Sequence, residues 1–465
     1  MKKTLLVTLA AIAALATGLS AQDVSFDSLY RDLPSRAACP SGVTAPTVSA
    51  PAAVVAPAPV AVPAAEREWL VLVFVNGRNN LWPAAVADVN EMETVGSTDK
   101  VAVAVELGLL RDRGTSARFL VQKDTQYPVA DLVRGDHDVT HIISQAVKVP
   151  NADMGSWKHL VDFAKWSIRR YPAKKVMVIL WNHGSGRLDI GGADNSGAEL
   201  GIAYDDTTRN FIRNKQIAMA LGEIRSATGK KVDVLDTDAC LMQMASVAYE
   251  LKDVTDFVVG SEEIVPGQGL PYDTVLAGLT ADPGMSPEQL SRMLVKKFDD
   301  FYEASGGLML DAKEGTTLSA LRTSASADFV KALNTWVAEA KKPANIPALK
   351  AAMAKTLAFE YAEPDKDGAY NALSRDLYDF VLNVTDTPDI SPKLKAKGIA
   401  FMRFIDGGSY VIASESTGPG PSYARAKGIA VYVPKLIYDP SYDETMFARD
   451  SLWDDLIKIL LGQEQ

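Results

Sequence analysis

Lys174-Lys175-Val176-Met177-Val178-Ile179-Leu180-Trp181-Asn182-His183-Gly184 is the stretch that decides the fold. From Val176 to Trp181 every residue is apolar, with no polar alternation, so the segment predicts a strand covered on both faces. Upstream, Trp157 to Arg170 puts Leu160, Val161, Ala164 and Ile168 on one face of an amphipathic helix. Downstream, a polar, Gly-rich insertion leads to a helix near Lys215 to Ala227 and a strand at Val232-Asp233-Val234-Leu235. A helix over Leu241 to Leu251 and the strand Phe257-Val258-Val259 follow. Nearer the N-terminus, strands at Trp69 to Val75 and Val101 to Leu107 flank a helix over Ala84 to Val95. Strands alternating with helices predict an α/β fold, a mainly parallel sheet with helices on both faces.

In such sheets functional residues gather at the carboxyl ends of the strands. Asn182-His183-Gly184 follows one strand, and Asp236-Thr237-Asp238-Ala239-Cys240 follows the next. Adjacent strands bring His183 and Cys240 to one edge. A thiol at a strand-to-helix turn is favoured as thiolate by the helix N-terminus and by a nearby His. Backbone N–H groups of Cys240 and Gly184 are candidate oxyanion donors, and Gly184 has no side chain to obstruct a substrate carbonyl. Nucleophile, proton shuttle and oxyanion donors are the set that acyl transfer needs. On residue type alone a buried packing cysteine fits the same position.

Trp181-Asn182-His183-Gly184 and Asp238-Ala239-Cys240-Leu241-Met242 resemble the His-Gly and Ala-Cys motifs of the clostripain family of cysteine peptidases. Further similar stretches occur in order: Asn79-Asn80-Leu81, Asn90-Glu91-Met92, Tyr204-Asp205-Asp206-Thr207, Ser261-Glu262-Glu263, Pro266-Gly267, Pro271-Tyr272, Gly428 to Tyr432, and Trp453-Asp454. The resemblance runs from about Glu68 to Leu460. It implies a caspase-like fold, a Cys240–His183 dyad, cleavage after Arg or Lys, and activation by self-cleavage between the two motifs. Asp238 matches the acid that reads the P1 side chain. An N-terminal helix cap is the plainer role for it, and Glu262 and Glu263 are alternative or assisting pocket acids. Arg78 stands where an acidic residue commonly precedes the Asn-Asn pair, and Ser185 replaces a Gly. The dyad needs no cofactor. Some relatives use calcium, for which Asp205 and Asp206 are candidates, although a turn or cap is the simpler role for that pair.

The segment joining the motifs carries Arg187, Arg209 and Arg213, with Lys215 just beyond. Arg209 and Arg213 are the leading self-cleavage sites, because long polar loops are where proteolysis concentrates. Arg31, Arg36 and Arg67 flank a Pro/Ala-rich stretch, whose removal would also release Cys39.

The remaining chain sets the context. Lys2 and Lys3, an apolar run from Leu5 to Ala16 and small residues up to Ala21 form a signal-peptide pattern, too short to span a bilayer. It predicts export to the periplasm or beyond, with no membrane attachment after removal. Four segments are expected: a signal peptide (1–21), a Pro/Ala-rich linker or pro-segment (22–66), a peptidase core (67–283), and C-terminal helices and strands packed on it (284–465). In the last, helices are expected at Pro287 to Ala304, Ala327 to Lys341, Ile346 to Tyr361 and Ser451 to Leu461. Strands are expected there at Ile399 to Phe404, Ser409 to Ala413 and Gly428 to Val433. The two cysteines, Cys39 and Cys240, could pair in an oxidising compartment, yet a bond to the Pro/Ala segment would pin little structure. A formal charge of −10 argues against nucleic acid, leaving polypeptides with Arg or Lys at P1 as the expected partners. His137 and His141 have i, i+4 spacing but no helix to display them as metal ligands. Rival functions are a silent binding protein on a peptidase fold and an exported structural or adhesive protein.

Overall fold

The computed structural model describes residues 66–126, 138–186, 201–304, 315–359, 373–388, 390–418, 423–434 and 437–463. The expected signal peptide, nearly all of the Pro/Ala segment, Cys39, His137 and Arg187 lie outside them.

Five strands form the parallel centre of the sheet: β1 (Arg67–Gly77), β2 (Val101–Leu109), β5 (Ala173–Trp181), β8 (Val232–Asp238) and β9 (Thr255–Gly260). Antiparallel strands extend it on both sides. β3 (Ser116–Leu120) and β4 (Val147–Val149) lie beyond β2; β10 (Thr316–Arg322) and β13 (Val411–Thr417) lie beyond β9. The order across nine strands is β13-β10-β9-β8-β5-β1-β2-β3-β4. Residues from the C-terminal third therefore complete the central sheet. A hairpin of β6 (Ile202–Asp205) and β7 (Asn210–Ile212) stands apart, as does a small sheet of β11 (Ala358–Phe359), β12 (Ser374–Asp376) and β14 (Ala430–Tyr432).

The unbroken apolar strands are explained by helices on both faces. Val176, Val178 and Leu180 of β5 join a core with α2 (Trp157–Arg170) and α3 (Asn214–Thr228), through Leu160, Phe163, Ile217 and Leu221. Met177, Ile179 and Trp181 face the other way. They meet α1 (Trp82–Val95), α5 (Tyr272–Ala281) and α6 (Pro287–Ala304) through Val89, Met92, Leu276 and Leu294. The alternation of a strand's side chains between faces makes both cores necessary. Truncating a fully buried residue such as Leu180 to Ala would cost about 2–5 kcal/mol.

Three expected elements differ. The helix expected from Leu241 begins only at Ala245, as α4 (Ala245–Glu250). Leu241 adopts φ 64°, and Gln243 N–H donates to Ser261 O at 2.9 Å, so the backbone first packs against the neighbouring loop. The helix expected over Ile346 to Tyr361 stops at Met353, and Ala358–Phe359 pair with β12 instead. The strand expected at Ile399 to Phe404 is helical. After α7 (Ser326–Ala340), α8 (Ile346–Met353) and α9 (Leu377–Thr385) comes α10 (Pro392–Asp406). Ser391 Oγ accepts the Leu394 N–H at 3.1 Å, Pro392 sits in its first turn, and Leu394, Gly398, Phe401, Met402 and Ile405 are buried at helical spacing. The short apolar run fits a strand period equally well; the cap and Pro upstream decide the matter. α11 (Met446–Asp450) and α12 (Trp453–Leu461) close the chain.

Candidate active site

β5 and β8 run parallel in a register that sets Trp181 opposite Asp238. His183 and Cys240 each lie two residues further on, so both reach the same sheet edge. The chains stay in contact there. Asn182 N–H donates to Asp238 O at 3.3 Å, and a Cβ at Gly184 would collide with the carbonyl oxygen of Cys240. Glycine is therefore required at 184 by close backbone approach. The Val265 N–H donates to the Cys240 Sγ at 3.4 Å, and the Gly184 N–H also points at this sulfur.

An asparagine frame holds the His183 strand end. Asn182 Nδ2 donates to Asn76 O, while its Oδ1 accepts the Tyr204 N–H at 3.0 Å and Asn79 Nδ2 at 3.2 Å. Asn76 Nδ2 donates to Ala203 O at 2.8 Å. The ends of β1, β5 and β6 are thus cross-linked by side-chain amides, each satisfying buried backbone groups. Asn80 completes the frame: its Oδ1 lies 2.7 Å from His183 Nε2. The Asn79-Asn80 pair stands out in the sequence, but no role for Asn80 is legible there. The signal available was its place just past a strand end.

Cys240 is partly exposed, yet its thiol is pushed up to about 11, first by desolvation, with the carboxylates of Glu263 and Asp238 adding to the rise. The hydrogen bonds from Val265 and Gly184 act in the opposite direction and are outweighed. The expected help from a helix N-terminus is missing, because α4 starts five residues beyond the sulfur.

Asp238 is buried at the end of β8. Its Oδ2 accepts the Tyr272 hydroxyl at 2.9 Å and the Leu270 N–H at 3.2 Å. Desolvation pushes this carboxyl up to about 6 in spite of those two bonds. It caps no helix. Glu263 lies near Cys240, its Oε2 accepting the Tyr423 hydroxyl at 2.8 Å. Glu262 is engaged with the C-terminal elements. Its Oε2 accepts the Gly428 N–H at 3.0 Å and its carboxyl faces Asp376, because the Thr317 Oγ1 bond to its backbone turns the loop toward the C-terminal elements. Two acids of α1 approach Asp238 instead. Asp88 Oδ2 accepts Trp181 Nε1 at 2.6 Å and Glu91 Oε2 accepts the Tyr272 N–H at 3.1 Å.

Arg209 is exposed at the tip of the β6–β7 hairpin with φ 56°, and Arg213 is exposed immediately before α3. Asp205 is engaged within the protein. It is fully buried, and it accepts Arg78 Nη1 at 3.1 Å, Met154 N–H at 3.0 Å and Thr207 N–H at 2.8 Å. A guanidinium already meets its charge. His159 Nε2 lies 2.6 Å from Glu106 Oε1 in a buried network with Ser116 and Arg118.

A family model described as the clostripain family matches residues 73–459. Clostripain of Hathewaya histolytica is 26% identical over 234 residues, a match spanning 47% of this chain and 43% of that protein's length. Two solved structures share the fold. A secreted C11 cysteine protease from Bacteroides thetaiotaomicron, in complex with an irreversible peptide inhibitor, aligns with TM-score 0.60 and 17% identity, covering 83% of this chain and 99% of that one. An inactive zymogen C11 protease from Parabacteroides distasonis aligns with TM-score 0.59 and 18% identity, covering 84% and 99%. The family match runs across the central sheet and through both motif-bearing strand ends, and the chain belongs to the clostripain family.

Proposed function

We propose that this chain is an exported cysteine endopeptidase that cuts polypeptides after Arg or Lys, and that it matures by cutting itself. The observation carrying this reading is the Trp181–Asp238 register, with His183 and Cys240 two residues beyond it and the Gly184 N–H on the sulfur. Export is supported by the N-terminal signal pattern, and among the described residues no helix is long and apolar enough to cross a membrane.

The Cys240 thiol gives its proton to His183 as the sulfur bonds to the scissile carbonyl carbon. The carbonyl π electrons move onto oxygen, where the N–H groups of Gly184 and Cys240 receive the charge. The His183 imidazolium protonates the leaving amine as the C–N bond breaks. His183 then takes a proton from water, which hydrolyses the thioester and returns the thiol. Asp238 holds the P1 cation. A thiol raised to about 11 is a weak nucleophile near neutral pH, which suits a chain that is latent until cut.

Release of a reporter from short Arg- or Lys-ended peptides, in a thiol-reducing buffer, tests the reading. Turnover should vanish in Cys240→Ala and His183→Ala without loss of fold, and the two losses should not add. Asp238→Asn should lose Arg and Lys cleavage far more than stability. Near wild-type turnover by Cys240→Ala would end the proposed mechanism.

A further inference from the structure

Asp238 belongs to a larger group of carboxylates. Asp236 and Asp238 are two residues apart on β8 and project from the same face as Ile179 and Trp181. α1 and α5 cover this face, bringing Asp88, Glu91 and Tyr272. The Tyr272 phenol is fully buried and feels the charges of Asp238, Asp88 and Asp236 together. Some buried acids elsewhere have cations, as Asp205 has Arg78 and Glu106 has Arg118, while Glu262 and Asp376 face each other. Among the described residues, no Lys or Arg forms an ion pair with Asp88, Glu91, Asp236 or Asp238. The Asp236 side chain, in a residue only 1% exposed, leaves Oδ2 without a hydrogen-bond partner.

Several ionised carboxylates crowded in a low dielectric repel one another, so the group must hold protons or a cation. Burial pushes Glu91 up to about 8 and raises Asp88 and Asp236 well above the ordinary range, with neighbouring acids adding to each. Asp273 at the start of α5 also raises Glu91. The loop before α5 packs closely on the Asp238 end: at Gly269, φ 57°, an added Cβ would sit only 3.0 Å from Asp238 Oδ2, so the approach to this carboxylate is kept by a residue without a side chain.

We propose that Asp88 and Asp236, with Glu91, are specificity-determining carboxylates that act together with Asp238 on the cationic side chain before the scissile bond. This rests on the reading of the chain as a peptidase with a cationic P1 preference. Without a bound cation the group is neutralised by protons. When a P1 guanidinium or ammonium enters, protons leave the carboxyls for solvent and the cation takes over their charge balance. An uncharged side chain of the same shape leaves the group protonated. Discrimination between Arg and its uncharged isostere citrulline therefore draws on the whole group, and it grows as pH rises.

Two measurements on the active enzyme test this. The first needs no change in the group: inhibition constants of a peptidyl argininal and a peptidyl norleucinal, from about pH 5.5 to 8.5. Their ratio cancels the titration of Cys240 and His183, which both inhibitors share. It should move in favour of argininal by roughly tenfold or more as pH rises, and a flat ratio overturns the proposal. The second compares kcat/KM for Arg and citrulline peptides in wild type, Asp88→Asn and Asp236→Asn. Each substitution should shrink the Arg/citrulline ratio by roughly tenfold. A full ratio in both folded variants also overturns it. Failure of the wild type to prefer Arg or Lys at all would instead remove the underlying P1 reading.

Discussion

Asn80 Oδ1 lies 2.7 Å from His183 Nε2, one β-strand away from the strand that carries the histidine. An amide oxygen can only accept a hydrogen bond, so it fixes the proton of the neutral ring on Nε2 and the lone pair on Nδ1. In the proposed mechanism the general base therefore acts through Nδ1, in an orientation set by the segment following β1 rather than by the histidine's own loop. Asn80→Ala should lower kcat by roughly tenfold to a hundredfold with little change in KM. It should also displace the His183 limb of the pH–rate profile, a readout that loss of packing alone would not move. Unchanged kcat with a lower unfolding midpoint would leave Asn80 a purely structural contact.

Much of the fold was legible because it is written in periodicity. β5 and α2 were readable from unbroken apolar residues and from a 3.6-residue stripe. The Cys240–His183 edge followed from two parallel strands ending in step. What escaped was set by tertiary contact. Leu241 adopts φ 64° because the backbone beyond Cys240 pairs with the Ser261–Glu263 loop before helix can begin. The orientation of Glu262 was not legible because it depends on Thr317 and Gly428, which are remote in sequence. Asp88 carries no sign that it lies near Asp238; only the packing of α1 on the sheet reveals it.

Buried acids give the stability a definite pH dependence. The folded chain raises Asp238 from 3.8 to about 6, Asp376 from 3.8 to about 7 and Glu91 from 4.5 to about 8, with desolvation the leading cause for each. Between the unfolded and folded values the native state holds protons that the unfolded chain has lost. Stability from these groups is therefore full below about pH 4 and falls as pH rises through roughly 6 to 8. Acids near the surface such as Glu68 and Glu288, lowered by hydrogen bonds to Lys174 and Arg292, act with the opposite sign but are only partly covered and are screened by solvent. The unfolding midpoint of Cys240→Ala, which cannot digest itself, should fall from about pH 5.5 to 8.5. Asp376→Asn should flatten that slope. A midpoint that rises over the same range would contradict the assignment.

The Arg78–Asp205 pair joins β1 to the β6–β7 hairpin at 3.1 Å with both side chains fully buried. Arg78→Met leaves the Asp205 carboxylate without its cation and should cost about 3–5 kcal/mol in denaturant unfolding. The double variant Arg78→Met/Asp205→Asn should lose less than the two single losses combined, since it strands no charge. Because Asn79 and Asn80 follow directly, Arg78→Met should also reduce kcat. Calcium should not rescue it, as its loss leaves a single carboxylate rather than a ligand set. Rescue by calcium would mean that Arg78 stands in for a bound ion.

Self-maturation is the last expectation, and the geometry sharpens it. Arg209 is exposed on a tight turn, where its N–H donates to Asp205 O at 2.7 Å. Arg213 is exposed, lies 5.0 Å from the Phe211 ring, and opens α3 with the Gln216 side chain accepting its N–H at 3.0 Å. A protease binds an extended chain, so either site must first leave its turn or cap by local unfolding. Arg209 has the lower barrier. Its flanking strands are three and four residues long, whereas freeing Arg213 also frays a helix of 15 residues. A cut after Arg209 leaves β6 anchored by Asn76, Asn182 and its bridge to Gly184, while removing the covalent link that holds β7 against it. Mass spectrometry of freshly purified wild type should therefore find a new N-terminus at Asn210 ahead of one at Asn214, with neither in Cys240→Ala. Arg209→Gln should slow maturation and lengthen the lag before reporter turnover. The same fragments in both proteins would assign the cut to another protease, and full activity of an uncut chain would eliminate latency altogether.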